Sequence, residues 1–300
     1  MSGTDPNKAL KKADGYMKTT LTRWKPDHVS AAIYYEQAAE GFKLLDDKEK
    51  AIISYERLAN VNEQLNDFWA TGRACQEAGQ LLLELKDAQC LAHLERAAQL
   101  FFGTNNHDKG LQMLLKCAEF HQEQGDLEGT KSFYEQGKEH VVNENLVNQL
   151  QMALEPYMNF LVENEMYAEA IDVYQAELDI AESGNKQSKI IKDSLAIVAL
   201  HLLLKDDVSA KIALSDFSAK YGSFSGAMES EVARKLIDAY QDGDQEEFKK
   251  QATRSVWSNV EAQIYRKVRR IQVPPKTAVI EATTDSTGEG EATGGLSLIQ

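Results

Sequence analysis

Capping and turn-forming residues interrupt the apolar pattern of this chain about once every twenty residues, at Asp27, Asp46, Asn66, Asp87, Asn106, Asp126, Asn145, Asn164, Asn185 and Asp206. Successive steps are 19, 20, 21, 19, 20, 19, 19, 21 and 21 residues. Asp and Asn side chains accept hydrogen bonds from the unpaired N–H groups of a first helical turn, so they start helices and disfavour their interiors. A step of this size, less a short turn, leaves about 16 helical residues, roughly 24 Å of helix. A second period runs alongside. "SYERLA", "HLERAA", "FYEQGK" and "VYQAEL" place Tyr55, Leu94, Tyr134 and Tyr174 at spacings of 39, 40 and 40 residues, once in every second helix. The repeat unit is therefore a helical hairpin of about 40 residues, and hairpins that cannot bury their apolar faces alone stack into a superhelix. Small residues, Ala38 with Ala39 and Ala97 with Ala98, let neighbouring helices approach. The tetratricopeptide (TPR) consensus of about 34 residues is absent, so the array is TPR-like rather than TPR.

The pattern changes twice near the carboxy terminus. Ile191, Leu195, Val198 and Leu202 define a helix face inside a fuller apolar run, which predicts burial on more than one side and the end of the array. From Ser225 the spacing shifts, and "GAMESEVARKLIDAYQ" and "WSNVEAQIYRKVRRI" read as helices separated by the acidic "DGDQEEF". The expected fold is all-α: a TPR-like right-handed superhelix of antiparallel hairpins over 1–220, closed by a helical bundle over 221–272. Beyond Pro274 and Pro275 the segment 273–300 is rich in Thr, Gly, Glu and Ser, lacks periodicity, and is expected to be disordered.

Composition narrows the function classes. Five prolines in 300 residues leave most of the chain free of helix breakers. The net charge of −14 disfavours nucleic acid and bulk binding to an anionic bilayer, and favours a partner with a basic face. Cys75, Cys90 and Cys117 lie within helical patterns without ligand spacing, so they read as buried reduced thiols of a cytoplasmic chain. The amino terminus, "MSGTDPNKALKKADGY", has no apolar run of the signal-peptide kind, and "LAIVALHLLL" is too short to span a bilayer. Membrane contact is expected to be peripheral.

Chemistry is not written in the pattern. The six histidines form no HxxxH or HExxH arrangement, no glycine-rich phosphate loop follows a strand, and carboxylate pairs such as Asp46–Asp47 and Asp206–Asp207 sit at predicted turns, where capping explains them. No catalytic residue, metal, cofactor or small-molecule substrate is expected. Arg266, Lys267, Arg269 and Arg270 end the last helix, where cations are favoured by the helix dipole. Asp238, Asp242, Asp244, Glu246 and Glu247 concentrate in one terminal hairpin, either as a solvated face or as a dock for a basic partner.

Three stretches resemble the soluble NSF attachment proteins (SNAPs), most of all their gamma type. "WKPDHVSAAIYYEQAAEGF" (Trp24 to Phe42) matches the gamma pattern, "YGSFSGAMESEVARKLIDAYQDGD" (Tyr221 to Asp244) is similar to the family's aromatic-Ser-Phe stretch and acidic helix, and "IYRKVRRI" (Ile264 to Ile271) is similar to the basic last helix of the alpha type. The resemblance implies a non-enzymatic adaptor that wraps a SNARE four-helix bundle and recruits the hexameric ATPase NSF, which disassembles the bundle after membrane fusion. It implies NSF contacts at Asp238 and Asp242, with Gln241 in place of a third carboxylate. Basic residues that the alpha type directs at the SNARE bundle align near Gln112 and Pro156, neither charged; Lys116, one turn from Gln112, is the candidate replacement. Leu296 and Leu298, in "GGLSLIQ", are candidates for the terminal leucine that stimulates the ATPase in alpha-type members. Leu21, Trp24 and Lys25, before Pro26, correspond to the connection that touches the bilayer in that family. The competing reading of Trp24 is a hydrophobic staple over the start of the second helix, with the first helix ending by about Arg23. The competing reading of the whole is a structural subunit of a large helical-repeat assembly, of coat or lid type, without ATPase recruitment.

Overall fold

The computed structural model describes residues 5–20 and 24–275 of the chain. Eleven helices follow one another in hairpin succession: α1 (Pro6–Met17), α2 (His28–Leu44), α3 (Lys48–Gln64), α4 (Phe68–Glu84), α5 (Gln89–Gly103), α6 (His107–Glu123), α7 (Leu127–Asn143), α8 (Leu150–Glu163), α9 (Tyr167–Ser183), α10 (Gln187–Leu203) and α11 (Asp207–Lys220). Shorter elements close the chain: α12 (Gly222–Ser225), α13 (Met228–Asp242), α14 (Gln245–Gln251), a 3-10 turn (Ser255–Asn259) and α15 (Ala262–Val268). There are no strands among the described residues, and the architecture is the expected all-α superhelix of hairpins.

One turn geometry repeats down the array. A residue with positive φ ends each helix at Asp46, Asn66, Lys86, Asn105, Gly125, Asn145, Glu165, Asn185 and Lys205, at intervals of twenty residues with a single interval of nineteen. The N–H of the next residue then bonds the carbonyl five positions back, as from Asp47 to Phe42 (3.0 Å), Asn106 to Phe101 (2.8 Å) and Asp206 to His201 (3.0 Å). This closes the helix in a Schellman motif. The same next residue often caps the following helix: Asp47 accepts from the Lys50 N–H, Asp67 from Ala70, Asp126 from Gly129 and Asp206 from Ser209. The sequence period thus mixed two roles. Asp46, Asn66, Asn145 and Asn185 are left-handed turn residues, Asn164 ends α8, and Asp27, Asp126 and Asp206 are true N-caps.

Tyr55, Leu94, Tyr134 and Tyr174 are all buried, on α3, α5, α7 and α9. Leu94 lies so close to α4 that a Cβ on Gly79 would stand 2.8 Å from its Cγ, which is why the facing position carries no side chain. α10 is buried over every residue from Asp193 to Leu200 and packs against α9, α11, α12, α13 and α15. The predicted last helix is interrupted: "WSNVEAQIYRKVRRI" holds the 3-10 turn and α15 separated at Val260–Glu261. Of the acidic linker, taken as a separator, Asp242 ends α13 and Gln245–Phe248 belong to α14. α1 stops at Met17, six residues before Arg23, with Lys18 already extended.

Candidate partner-binding site

α13 carries two exposed carboxylates one turn apart at its carboxy-terminal end, Asp238 and Asp242. Neither the spacing nor the position is comfortable. Like charges at i and i+4 repel, at a cost of about 0.2–0.5 kcal/mol, and negative charge near a helix C-terminus opposes the helix dipole, at a cost of about 0.3–1 kcal/mol. No basic residue occupies the last turn, Lys235 is engaged by Glu231 at 2.6 Å, and Asp238 makes no hydrogen bond or ion pair among the described residues. Gly243 follows in a left-handed conformation, φ 70°, and turns the chain straight into α14.

Two members of the acidic group, Asp244 and Glu247, have clear local work. Asp244 caps α14 by accepting from the N–H groups of Glu246 and Glu247 (3.1 and 2.9 Å). Glu247 bonds Lys250 (2.8 Å) and Gln251 (2.6 Å), and these donors hold its carboxyl below the usual range. Gln241, where a third carboxylate was sought, donates to Asp207 of α11 at 2.8 Å. Packing and capping therefore account for part of the cluster and leave Asp238 and Asp242 facing outward.

A buried ionic cluster fixes where this surface sits. Glu261, just before α15, accepts from the Tyr174 hydroxyl at 2.6 Å and pairs with Lys192 at 2.5 Å. Beside it Lys189 lies 2.7 Å from Glu177 and 3.7 Å from Asp193, two carboxylates with no solvent exposure. Burial pushes Asp193 well above the ordinary carboxylate range and Glu177 upward. Burial alone would lower Lys189, but Asp193 and Glu177 outweigh it and its value rises. Lys267 adds an ion pair to Glu165 at 2.7 Å. α15 and the residue before it are thereby bolted to α9, α10 and the α8–α9 turn, and α13 is packed on α10 and α11.

The family model described as soluble NSF attachment protein, SNAP, matches residues 4–254. The chain belongs to the SNAP family. It is 28% identical over 299 residues to the gamma-soluble NSF attachment protein of Arabidopsis thaliana, an alignment covering 97% of this chain and 99% of the relative. The gamma protein of Dictyostelium discoideum is 23% identical, covering 88% and 81% respectively. The alpha protein of Mus musculus is 22% identical over 65% of this chain and 73% of its own length. The gamma-type proteins are thus similar over more of the chain than this alpha protein. SNAPs are adaptors, not enzymes.

Other residues singled out from the SNAP resemblance are dispersed. Lys116 is half-buried on α6, far along the array from α13, with Gln112 exposed one turn before it; Pro156 lies inside α8, which continues through it. Trp24 is 87% exposed between α1 and α2, so its ring does not cover the start of α2 and the staple is not formed. Leu21, Leu296 and Leu298 lie outside the described residues. Among those described, no group of His, Cys, Asp and Glu could hold a metal, and no helix is long and apolar enough to cross a membrane. The three cysteines are buried, and burial raises the Cys117 thiol to about 12. Nothing in the residue pattern announced the Lys189–Asp193–Glu177–Glu261 cluster. Its carboxylates are spaced like surface residues, and only α10's continuous apolar run hinted that the face opposite them was also covered.

Proposed function

We propose that this chain attaches an NSF-type ATPase to a SNARE four-helix bundle so that the bundle can be disassembled in vesicle trafficking. Membership of the SNAP family supports the adaptor role. The observation that carries the choice of docking site is the pair Asp238 and Asp242, exposed on the last turns of α13 against the preference of the helix itself. A basic face on the ATPase would relieve their repulsion, which gives the pair a reason to exist. Lys116 is assigned to the SNARE bundle, and Trp24 with Lys25 to the membrane that bears it; the weak affinity of one indole makes that contact effective once the chain is held on an anchored bundle.

The test is a pull-down of the full chain with an NSF-type ATPase, with and without preassembled SNARE complex. Wild type is expected to retain the ATPase only with the SNARE complex present. Asp238→Lys with Asp242→Lys should weaken that retention about tenfold or more, with SNARE binding unchanged, because charge reversal turns attraction into repulsion. No retention by wild type in either format would overturn the adaptor reading in favour of a structural subunit. Unchanged retention by the double variant would remove these two residues from the site.

A further inference from the structure

Consecutive helices of the array are antiparallel, so the α1–α2, α3–α4 and α5–α6 turns emerge on one edge and the α2–α3 and α4–α5 turns on the other. Both edges expose apolar residues, but they differ in charge. On the first edge, Phe68 and Trp69 open α4 and remain 46% and 40% exposed, on the same side of the array as Trp24. Trp69 is flanked by cations from two helices. The Arg73 guanidinium lies 5.1 Å from its ring centroid, and the Lys109 ammonium, reaching from the first turn of α6, lies 5.2 Å from it. The α1–α2 connection adds Lys18 and Lys25. The acids of this edge, Asp27 and Asp67 capping α2 and α4 and Asp108 accepting from Gln149 at 2.9 Å, keep their charge but are outnumbered by Lys18, Lys25, Arg73 and Lys109. In a chain of net charge −14 this edge is a local reversal of sign.

The opposite edge is the control that the molecule itself supplies. Leu44 and Leu45 at the α2–α3 turn are more exposed than Trp69, at 86% and 67%. Yet they adjoin Asp46, Asp47 and Glu49, and every nearby lysine is paired with a carboxylate, Lys43 with Glu77 (2.5 Å), Lys48 with Glu84 (2.8 Å) and Lys50 with Asp47 (2.6 Å), which leaves acids in excess. That turn is apolar and acidic, and an anionic surface would repel it.

Aromatic rings with an amphipathic edge concentrate at the headgroup level of a bilayer, and basic side chains beside them are drawn to anionic lipid. We propose that Phe68 and Trp69, with Arg73 and Lys109, form a second membrane-contacting tip, so that the array meets an anionic bilayer along the edge running from Trp24 to the start of α6 rather than at one loop. Two tips on one rigid array fix its orientation, because both engage together only when the edge lies parallel to the membrane plane. The proposal deepens the membrane contact proposed for Trp24 and needs neither the ATPase nor the SNARE bundle.

The experiment is flotation of the full chain with phosphatidylcholine vesicles, with and without phosphatidylserine, in the absence of partners. Failure here would therefore leave NSF recruitment untouched, and failure of the pull-down would leave this edge untouched. Phe68→Ser with Trp69→Ser is expected to lower the bound fraction at least as much as Trp24→Ser. Arg73→Gln, at an exposed position, should lower binding about fivefold on vesicles containing phosphatidylserine and leave it unchanged on phosphatidylcholine alone, since one basic residue near an anionic surface is worth about 1 kcal/mol. Leu44→Ser with Leu45→Ser should leave binding unaltered. Wild-type binding by the Phe68/Trp69 variant, an equal loss from the Leu44/Leu45 variant, or a self-associated species in vesicle-free sedimentation that Phe68→Ser with Trp69→Ser abolishes would overturn the proposal.

Discussion

Lys86, Glu165 and Lys205 hold left-handed turns at φ 56°, 61° and 62°, a conformation in which any side chain beyond Cα crowds the following carbonyl. The array tolerates them because each turn closes two helices at once, and the Schellman bond from the next N–H is made at every one of them. Lys205 is exposed, so its side chain gives little in return. Lys205→Gly should stabilise the protein by about 0.5–1 kcal/mol, visible as a higher urea midpoint with unchanged slope. A lower midpoint would mean that the lysine stem contributes packing. These residues also mark the limit of what could be read directly. Asn66, Asn145 and Asn185 announce a turn by composition, whereas Lys86, Glu165 and Lys205 do not, so the cap residues beside them carried the period. That substitution of one landmark for its neighbour made the apparent steps irregular when the turns themselves recur almost uniformly.

Among the elements, α10 was legible in kind and not in content. Its apolar run predicted burial on several sides, and the helix is enclosed by α9, α11, α12, α13 and α15. What the run could not show is that Asp193 is enclosed as well, because burial of a carboxylate is decided by which helix crosses over it. Burial raises Asp193 on folding, while the unfolded chain titrates normally. A group raised in this way contributes its full stability below its unfolded value and loses it as pH rises through its folded value. Asp193→Asn cannot ionise and escapes that loss. The melting temperature of wild type relative to Asp193→Asn should therefore fall as pH rises above about 4. A difference that grows with pH would show that the Lys189 ion pairs dominate. α15 illustrates the same point, since its amphipathic sequence reads as continuous from Trp257, yet buried Trp257 donates from its indole to the Gln251 carbonyl and the chain kinks at Glu261 to reach Tyr174.

At the scale of the molecule, the hairpin period gave the architecture because stacking is a nearest-neighbour matter that repeats in sequence. The surfaces are not periodic and were less legible. Asp238 and Asp242 stood out only after Asp244, Glu247 and Gln241 had been assigned to capping and local pairing. Trp24 could not be separated from a staple until its exposure was known, and Phe68 and Trp69 look like any helix start in the sequence.

The interior is also divided. One cluster of buried apolar residues runs from Ala9 to Phe120 and a second from Leu111 to Val268. They meet on α6, which gives Met113, Leu114, Cys117 and Phe120 to the first and Leu111 and Ala118 to the second, with Phe102 and Phe133 packed against both. A solid divided in this way need not melt as one. Backbone amides of α2–α5 should exchange with deuterium through one sub-global opening and those of α8–α10 through another, with different dependence on added urea. A single shared opening for both halves would show that α6 transmits cooperativity without loss. With two openings, either half can come apart and reseal while its neighbour stays folded, and a tug applied at one end would be absorbed before it reached the other.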